Sequence, residues 1–226
     1  RVGVPQTLLR LNERHKGAVI EMGVDNLGQT TRLCEIVRPT IGIITNIGPD
    51  HLEFFGTMDV SAQAKAEMLD LLPSDGVAIL NADDSYYDYL AARARCRVVS
   101  FGFSSKADVR AMDLKSDGRN GTIFRLLLPG AVRHAAAHIR VQGDHNVTNA
   151  LAAGAVGSIL GLSRGVIAQG LSRFRPAAMR SQVRVSQVVK LIIDCYNANP
   201  ASMKAAVQLL AQTGAKRKRI AVLGDM

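Results

Sequence analysis

Tryptophan is absent from this 226-residue chain, and aromatic residues together supply only 4% of it. A binding face of stacked rings, such as sugars or single-stranded nucleic acids use, is therefore not expected. The core has to be aliphatic, built from Val, Ile, Leu and Ala, the composition of parallel sheets covered by helices. Cysteine is scarce and scattered: Cys34, Cys96 and Cys195 are three in number, far apart, and none belongs to a C-x-x-C pair. That excludes a disulfide framework and zinc spacing, and it fits a reducing, cytoplasmic setting. No stretch approaches the roughly 18 apolar residues of a membrane span. Arg1–Pro5 has none of the features of a signal peptide. One further absence matters: nothing matches G-x-x-x-x-G-K-[ST], the loop whose backbone amides and lysine cradle phosphates.

What is present suits a folded enzyme-sized domain. Hydrophobic residues make up 47% and charged residues 21% of the chain, enough to bury a core. The formal net charge of +9 fits either a generally basic surface or an anionic substrate such as a nucleotide. Lysines and arginines are spread out except for Lys216–Arg219, which reads as a solvated turn rather than a nucleic-acid patch.

Short β-rich runs alternate with helical patterns. Ala18–Met22 reads as a buried strand, Thr30–Val37 as a helix and Ile41–Thr45 as a second buried strand. Asp59–Leu72 has helical spacing, with Ala62, Ala66 and Leu69 on one face; Val77–Leu80 is a strand, Tyr86–Ala94 a helix and Arg97–Phe101 a strand. This alternation predicts an α/β domain with a mainly parallel sheet flanked by helices. From Ala107 to Val141 the runs shorten between turn signals, predicting an appended antiparallel β-meander. Helices resume at Asn146–Leu160 and Arg164–Ser172, and Phe174–Arg180 reads as a linker. Strands over Gln182–Ser186 and Leu191–Asp194, a helix over Ala201–Leu210 and a strand over Arg219–Leu223 then predict the start of a second, Rossmann-like α/β domain. The expected division is residues 1–180 and 181–226.

Ligands of open α/β sheets bind beyond the carboxyl ends of the strands. Four polar constellations fall at such ends: Glu21; Thr45–Asn46 leading to His51; Asn81–Asp84; and Asp194–Pro200. Glu21 can serve as a hard-metal ligand, since Mg²⁺ needs only one or two protein carboxylates beside phosphate, or it can be a strand-end charge. His51 is either structural or a ligand. Lys65 follows fourteen positions later on a helix, between Ala64 and Ala66, and can be a solvated cation, a phosphate partner or a modified, metal-binding residue. Asn146 and Asn149 lie three apart at a helix start, so two amides share a face and can read an adenine edge; alternatively one caps the helix and the other packs.

The ordered set resembles the Mur ligase family. It consists of Gly3-Val4-Pro5-x-Thr7-Leu8-Leu9, Glu21-Met22-Gly23, Thr45-Asn46-Ile47-Gly48-Pro49-x-His51-Leu52-Glu53-x-x-Gly56, Ala64-Lys65-Ala66-Glu67, Asn81-Ala82-Asp83, His145-Asn146-x-x-Asn149-Ala150-Leu151-Ala152-Ala153 and Asp194-x-Tyr196-Asn197-Ala198-Asn199-Pro200-x-Ser202-Met203. The opening motif and Tyr-Asn-Ala-Asn-Pro point to the branch that adds D-alanyl-D-alanine to UDP-MurNAc-tripeptide in peptidoglycan synthesis. The resemblance implies an ATP- and Mg²⁺-dependent amide-bond ligase of the acid–amino-acid class, cytoplasmic and monomeric, working through an acyl phosphate. It implies that Glu21, His51 and Lys65, the last as a carbamate, hold metal and are catalytic. Asn46 would belong to the cofactor site, Asn146 and Asn149 to the adenine, Arg180 to the nucleotide phosphates and Asp194 to the ribose. Tyr196, Asn197 and Asn199 would sit at the interface with the second domain.

Some positions depart from the family pattern. Met179 stands before Arg180 where Gly is usual, Gln29 where Glu is common and Asn26 where His is common. The phosphate loop would lie upstream of Arg1 and most of the second domain beyond Met226, so the chain is expected to be a piece without turnover of its own. Readings left open are another Mur-type ligase, including folylpolyglutamate and cyanophycin types, and a non-catalytic nucleotide-binding module.

Overall fold

The structure, a computed structural model, describes residues 2–49, 52–117, 121–131, 133–212 and 218–224. Its main sheet has six strands in chain order: β1 (Ile41–Ile44), β2 (Val77–Asn81), β3 (Arg97–Gly102), β4 (Val109–Ser116), β5 (Thr122–Leu127) and β6 (Ala135–Ile139). Strands β1 and β2 run parallel, with Ile41 opposite Val77 and Ile44 opposite Leu80. Strands β3 and β4 also pair parallel, whereas β4–β5 and β5–β6 are antiparallel. The predicted mixed architecture, parallel first and a meander after it, is the observed one. Two compact units divide at Val99/Ser100.

In the first unit, α1 (Gly3–Leu8), α2 (Gln29–Val37), α3 (Leu52–Phe55), α4 (Met58–Leu71) and α5 (Tyr87–Arg93) accompany β1 and β2. Strand β2 is buried from Val77 to Leu80 without alternation, as a strand covered on both faces must be. Helix α4 turns Ala62, Ala66 and Leu69 into the core with Cys34, Ile44, Ile47 and Leu80. Gly42 of β1 makes room for the end of this helix: a Cβ there would come 3.0 Å from both Leu72 Cδ1 and Met68 Cε. Asp70 on α4 takes a two-pronged bond from Arg93 on α5 (3.1 Å from Nε, 2.5 Å from Nη2), and this bond holds its carboxyl below the ordinary range.

The second unit carries the meander. Strand β5 alternates buried and exposed residues, because an antiparallel strand with one covered face needs period two. Phe124 and Leu126 are buried, as are Val147, Leu151 and Ala155 of α6 (Asp144–Ile159); α6 packs on β4, and α7 (Arg164–Arg173) packs beside it and on β6. A hairpin of β7 (Gln182–Val185) and β8 (Lys190–Ile193) follows, then α8 (Pro200–Gln212).

Two expected strands are not formed. Ala18–Met22 is irregular, with Val19 91% exposed, and Arg219–Leu223 is irregular, with Val222 93% exposed. An apolar run becomes a strand only where a neighbouring edge takes its backbone hydrogen bonds, and neither run pairs with any described strand. The expected β-α-β unit is thus a hairpin and a helix. Helices α1 and α3 went unread because both are short and lack a clear apolar stripe.

Two predictions follow from the packing. A Cβ on Gly76 would lie 2.8 Å from the Thr40 carbonyl oxygen and 2.9 Å from that of Pro73, both backbone atoms. Gly76→Ala is expected to cost about 1–3 kcal/mol in urea unfolding. Gly42→Ala, which meets only the mobile ends of Leu72 and Met68, should cost less, and the reverse order would contradict this packing. Cys34 is 2% exposed, and burial, reinforced by Glu67, pushes its thiol from 9.0 up to about 11. Below pH 9 the thiol is neutral in both states; between pH 9 and about 11 only the unfolded chain ionises, so stability falls as pH rises. Cys34→Ala should flatten that alkaline loss in denaturation curves taken across the window.

Candidate functional site

Two polar clusters carry the residues singled out from the sequence, one in each unit. The first lies at the carboxyl ends of β1 and β2. After β1 the chain enters Thr45–Pro49, with Asn46 exposed and Ile47 buried. This loop is strapped to the one after β2. Asn81 Nδ2 donates to the Thr45 carbonyl at 3.0 Å, and the Ile47 N–H donates to Asp84 Oδ2 at 2.7 Å. Asp84 Oδ1 accepts the Tyr86 N–H at 2.8 Å, and the Tyr86 hydroxyl donates to Asp59, in the first turn of α4, at 2.6 Å. That bond to a carboxylate raises the phenol above its usual range.

Lys65 sits on α4, half-buried, between Ala64 and Ala66, both fully buried. The flanking alanines face the core, so the steric openness expected around Lys65 is only partial. Glu67, two residues on, has a role that the sequence did not reveal. Its Oε1 accepts the Gly28 N–H at 2.6 Å, and its Oε2 accepts the Thr31 N–H and the Thr31 hydroxyl, each at 3.0 Å. A carboxylate on these N-terminal amides satisfies orphan donors and complements the dipole of α2. The signal for it was only a Glu embedded in an alanine-rich motif.

Glu21 lies exposed in the irregular segment before α2, and His51 falls outside the described residues. No group of three or more His, Cys, Asp or Glu side chains able to hold a metal occurs among the described residues. One exposed carboxylate does not make an all-protein cage. It does fit Mg²⁺, which keeps most of its ligands as water and phosphate oxygens.

The second cluster starts at α6. Gly143 precedes the helix at φ +99°, and a Cβ there would strike the His145 ring at 2.7 Å, so only glycine fits. Neither asparagine caps the helix, contrary to one of the two expected alternatives. Asn146 Nδ2 donates to the Gln142 carbonyl at 2.8 Å and to His145 Nε2 at 3.0 Å. Both amide hydrogens are thereby used, and Oδ1 remains as an acceptor. Asn149, one turn on, is exposed. The His145 ring accepts at Nε2 and is therefore neutral. Desolvation holds its pKa below the ordinary value, against the opposing pull of Asp194 and Asp144.

Asp194 accepts the Ser181 hydroxyl at 3.1 Å, and the Met179 carbonyl accepts the N–H groups of Cys195 and Tyr196 at 3.1 and 3.2 Å. The Arg180 guanidinium lies 4.4 Å from the centroid of the Tyr196 ring. These bonds bring Arg180 beside Tyr196 and Ser181 beside Asp194 across the hairpin. Asn197 is exposed and contributes no side-chain bond among the described residues. Asn199 has structural work: its Oδ1 accepts the Ser202 N–H at 2.7 Å, and Ser202 Oγ accepts the Asn199 N–H at 3.0 Å. This reciprocal cap starts α8, with Pro200 at the first helical position. A cleft of about 660 Å³ nearby, lined by Arg140, Arg175 and His138 among others, had no sequence signal. Its arginines donate to carbonyls at the end of α7.

The turn that holds Arg180 is strained. Met179 has φ +61° and Ser181 φ +45°, both left-handed. Side chains there cost roughly 1–2 kcal/mol each, which explains why a glycine before the arginine would be favoured. Met179→Gly is expected to raise unfolding stability by about 0.5–1 kcal/mol once the greater freedom of unfolded glycine is subtracted. A loss of stability in chemical denaturation would rule out this turn geometry.

Comparison with known proteins places this geometry. A family model for the Mur ligase middle domain matches residues 1–157, and one for the Mur ligase glutamate ligase domain matches residues 179–226. The UDP-N-acetylmuramoyl-tripeptide–D-alanyl-D-alanine ligase of Mycobacterium tuberculosis is 38% identical over all of this chain, which spans 45% of that protein. A crystal structure of MurF from Acinetobacter baumannii superposes with a TM-score of 0.88 at 34% identity, covering 94% of this chain and 46% of that one. MurF from Thermotoga maritima, solved in complex with ADP, shares the fold at a TM-score of 0.75 and 22% identity over 85% of this chain and 44% of its own. The chain thus spans about half the length of the curated relatives it matches. With a family model over residues 1–157 and a relative of that identity aligned from end to end, the chain belongs to the Mur ligase family.

Proposed function

We propose that this chain is the central domain (1–180) and the opening of the C-terminal domain (181–226) of an ATP-dependent ligase that joins D-alanyl-D-alanine to UDP-MurNAc-tripeptide. The observation that carries the reading is the end-to-end likeness to ligases of that name. The two clusters supply its physical support.

In this reaction the terminal carboxylate of the tripeptide takes the γ-phosphoryl group of ATP, giving an acyl phosphate and ADP. The D-alanyl-D-alanine amine then attacks the acyl carbon, and phosphate leaves as the amide forms. Mg²⁺, when bound, neutralises charge on the transferring group and keeps the reactants in line. Two ions are expected: Glu21 would hold the one at the ATP phosphates and His51 a second, with Lys65 as a further metal ligand. Lys65 would join them as a carbamate, since an ammonium cannot ligate a cation. Lys65 is half-buried on α4, between two buried alanines. Asn46 lies at the end of β1, where ligands of such sheets bind.

Asn146 suits the adenine. With both amide hydrogens spent on Gln142 and His145, its free Oδ1 can accept from the exocyclic amine, and Asn149 presents a second amide on the same face. Asp194 offers a carboxylate to ribose hydroxyls. Arg180, held over Tyr196, offers charge to phosphate, with Asn197 and Asn199 beside the start of the C-terminal domain. The net charge of +9 favours an anionic nucleotide and a UDP-linked substrate. The enzyme is expected to be cytoplasmic and monomeric. No helix among the described residues is long and apolar enough to cross a membrane.

The test uses the full-length enzyme with both substrates, reading phosphate release and amide product. Turnover should require ATP, Mg²⁺, the tripeptide and D-alanyl-D-alanine together. Lys65→Ala should lower kcat by at least about a thousandfold, as loss of an electrostatic transition-state contact does, and added short carboxylates should restore part of it. Normal turnover by Lys65→Ala would remove Lys65 from the metal site, and failure to use D-alanyl-D-alanine would remove the substrate assignment.

A further inference from the structure

We propose that Asp84 is a positioning residue for the metal-facing side of the nucleotide site, a role that rests on the ligase reading above. Both of its carboxylate oxygens are already engaged, Oδ2 by the Ile47 N–H at 2.7 Å and Oδ1 by the Tyr86 N–H at 2.8 Å. Asp84 therefore acts through what it holds rather than as a ligand. On one side it fixes the loop after β1, where Asn46 is exposed and from which the chain runs on to His51. On the other it fixes Tyr86, whose hydroxyl reaches Asp59 on α4 at 2.6 Å, and α4 carries Lys65. Asn81 adds a parallel tie to the Thr45 carbonyl at 3.0 Å.

The brace thus links three pieces of backbone that bear Asn46 and Lys65 and lead to His51. Its anchor is rigid, because Ile47 is 7% exposed and packs in the core cluster. Two carboxylate oxygens are needed because two N–H donors arrive from different loops. A neutral amide has one acceptor oxygen and one NH₂ donor, so Asp84→Asn must set a donor against one of those N–H groups. Metal sites lose activity when their supporting contacts are cut, typically 10–100-fold in affinity.

Two measurements test this. In the 226-residue chain, Asp84→Asn should speed amide exchange at Ile47 at least about tenfold while the β2 amides keep their protection. In the full-length enzyme, the same variant should raise the Mg²⁺ concentration needed for half-maximal binding of a non-hydrolysable ATP analogue by about tenfold. Turnover at saturating Mg²⁺ should fall much less. A folded Asp84→Asn with wild-type Mg²⁺ dependence of analogue binding overturns the proposal. Should Asp84→Asn fail to fold, Asn81→Ala, which removes the Thr45 tie and the bond that Asn81 Oδ1 accepts from the Asp83 N–H but leaves both oxygens of Asp84 engaged, decides in its place: a raised Mg²⁺ requirement supports the brace and an unchanged one overturns it. Wild-type enzyme without ligase turnover overturns the ligase reading and this role with it, whereas wild-type turnover beside an unchanged Asp84→Asn overturns this role alone.

Discussion

The close approach of α4 to the β1–β2 pair is the constraint on which the first unit depends. Ala62 and Ala66 of the helix are buried in the core, and Gly42 on the strand leaves room for the side chains of Met68 and Leu72. At this distance Lys65 is half-covered rather than fully solvated, Asp59 comes within reach of Tyr86, and Glu67 reaches the start of α2. One packing choice, made with alanine and glycine, sets the position of three polar residues.

In the second unit the equivalent organiser is the turn at Met179–Ser181. Two left-handed residues reverse the chain so that the Met179 carbonyl takes both the Cys195 and the Tyr196 N–H groups. The backbone bonds compensate for the strain, and the reward is geometric: Arg180 stands over Tyr196. Local strain held by surrounding bonds is a usual mark of a residue that must point a particular way. The two asparagines expected as a pair then part in role, Asn146 locked by its amide hydrogens and Asn149 exposed.

In the first unit Glu67, Asp84 and Asn81 each engage two backbone groups through their side chains. Carboxylates and amides with several acceptors are suited to tying loops.

The sequence alone determined the alternation of elements, because periodicity two or 3.6 and turn residues act locally. The helix over Asp59–Leu72 with its alanine face, the meander between Ala107 and Val141, and the two strands and the helix after the linker were all legible in this way. The ordered motifs likewise identified the family. Tertiary structure alone decided whether Ala18–Met22 and Arg219–Leu223 pair as strands, since a strand exists only beside a partner edge. It alone revealed that Asp84 joins Ile47 across 37 positions and Glu67 joins Gly28 across 39. Hydrogen bonds between distant loops follow from where packing brings the backbone, and no local pattern of residue types records that distance.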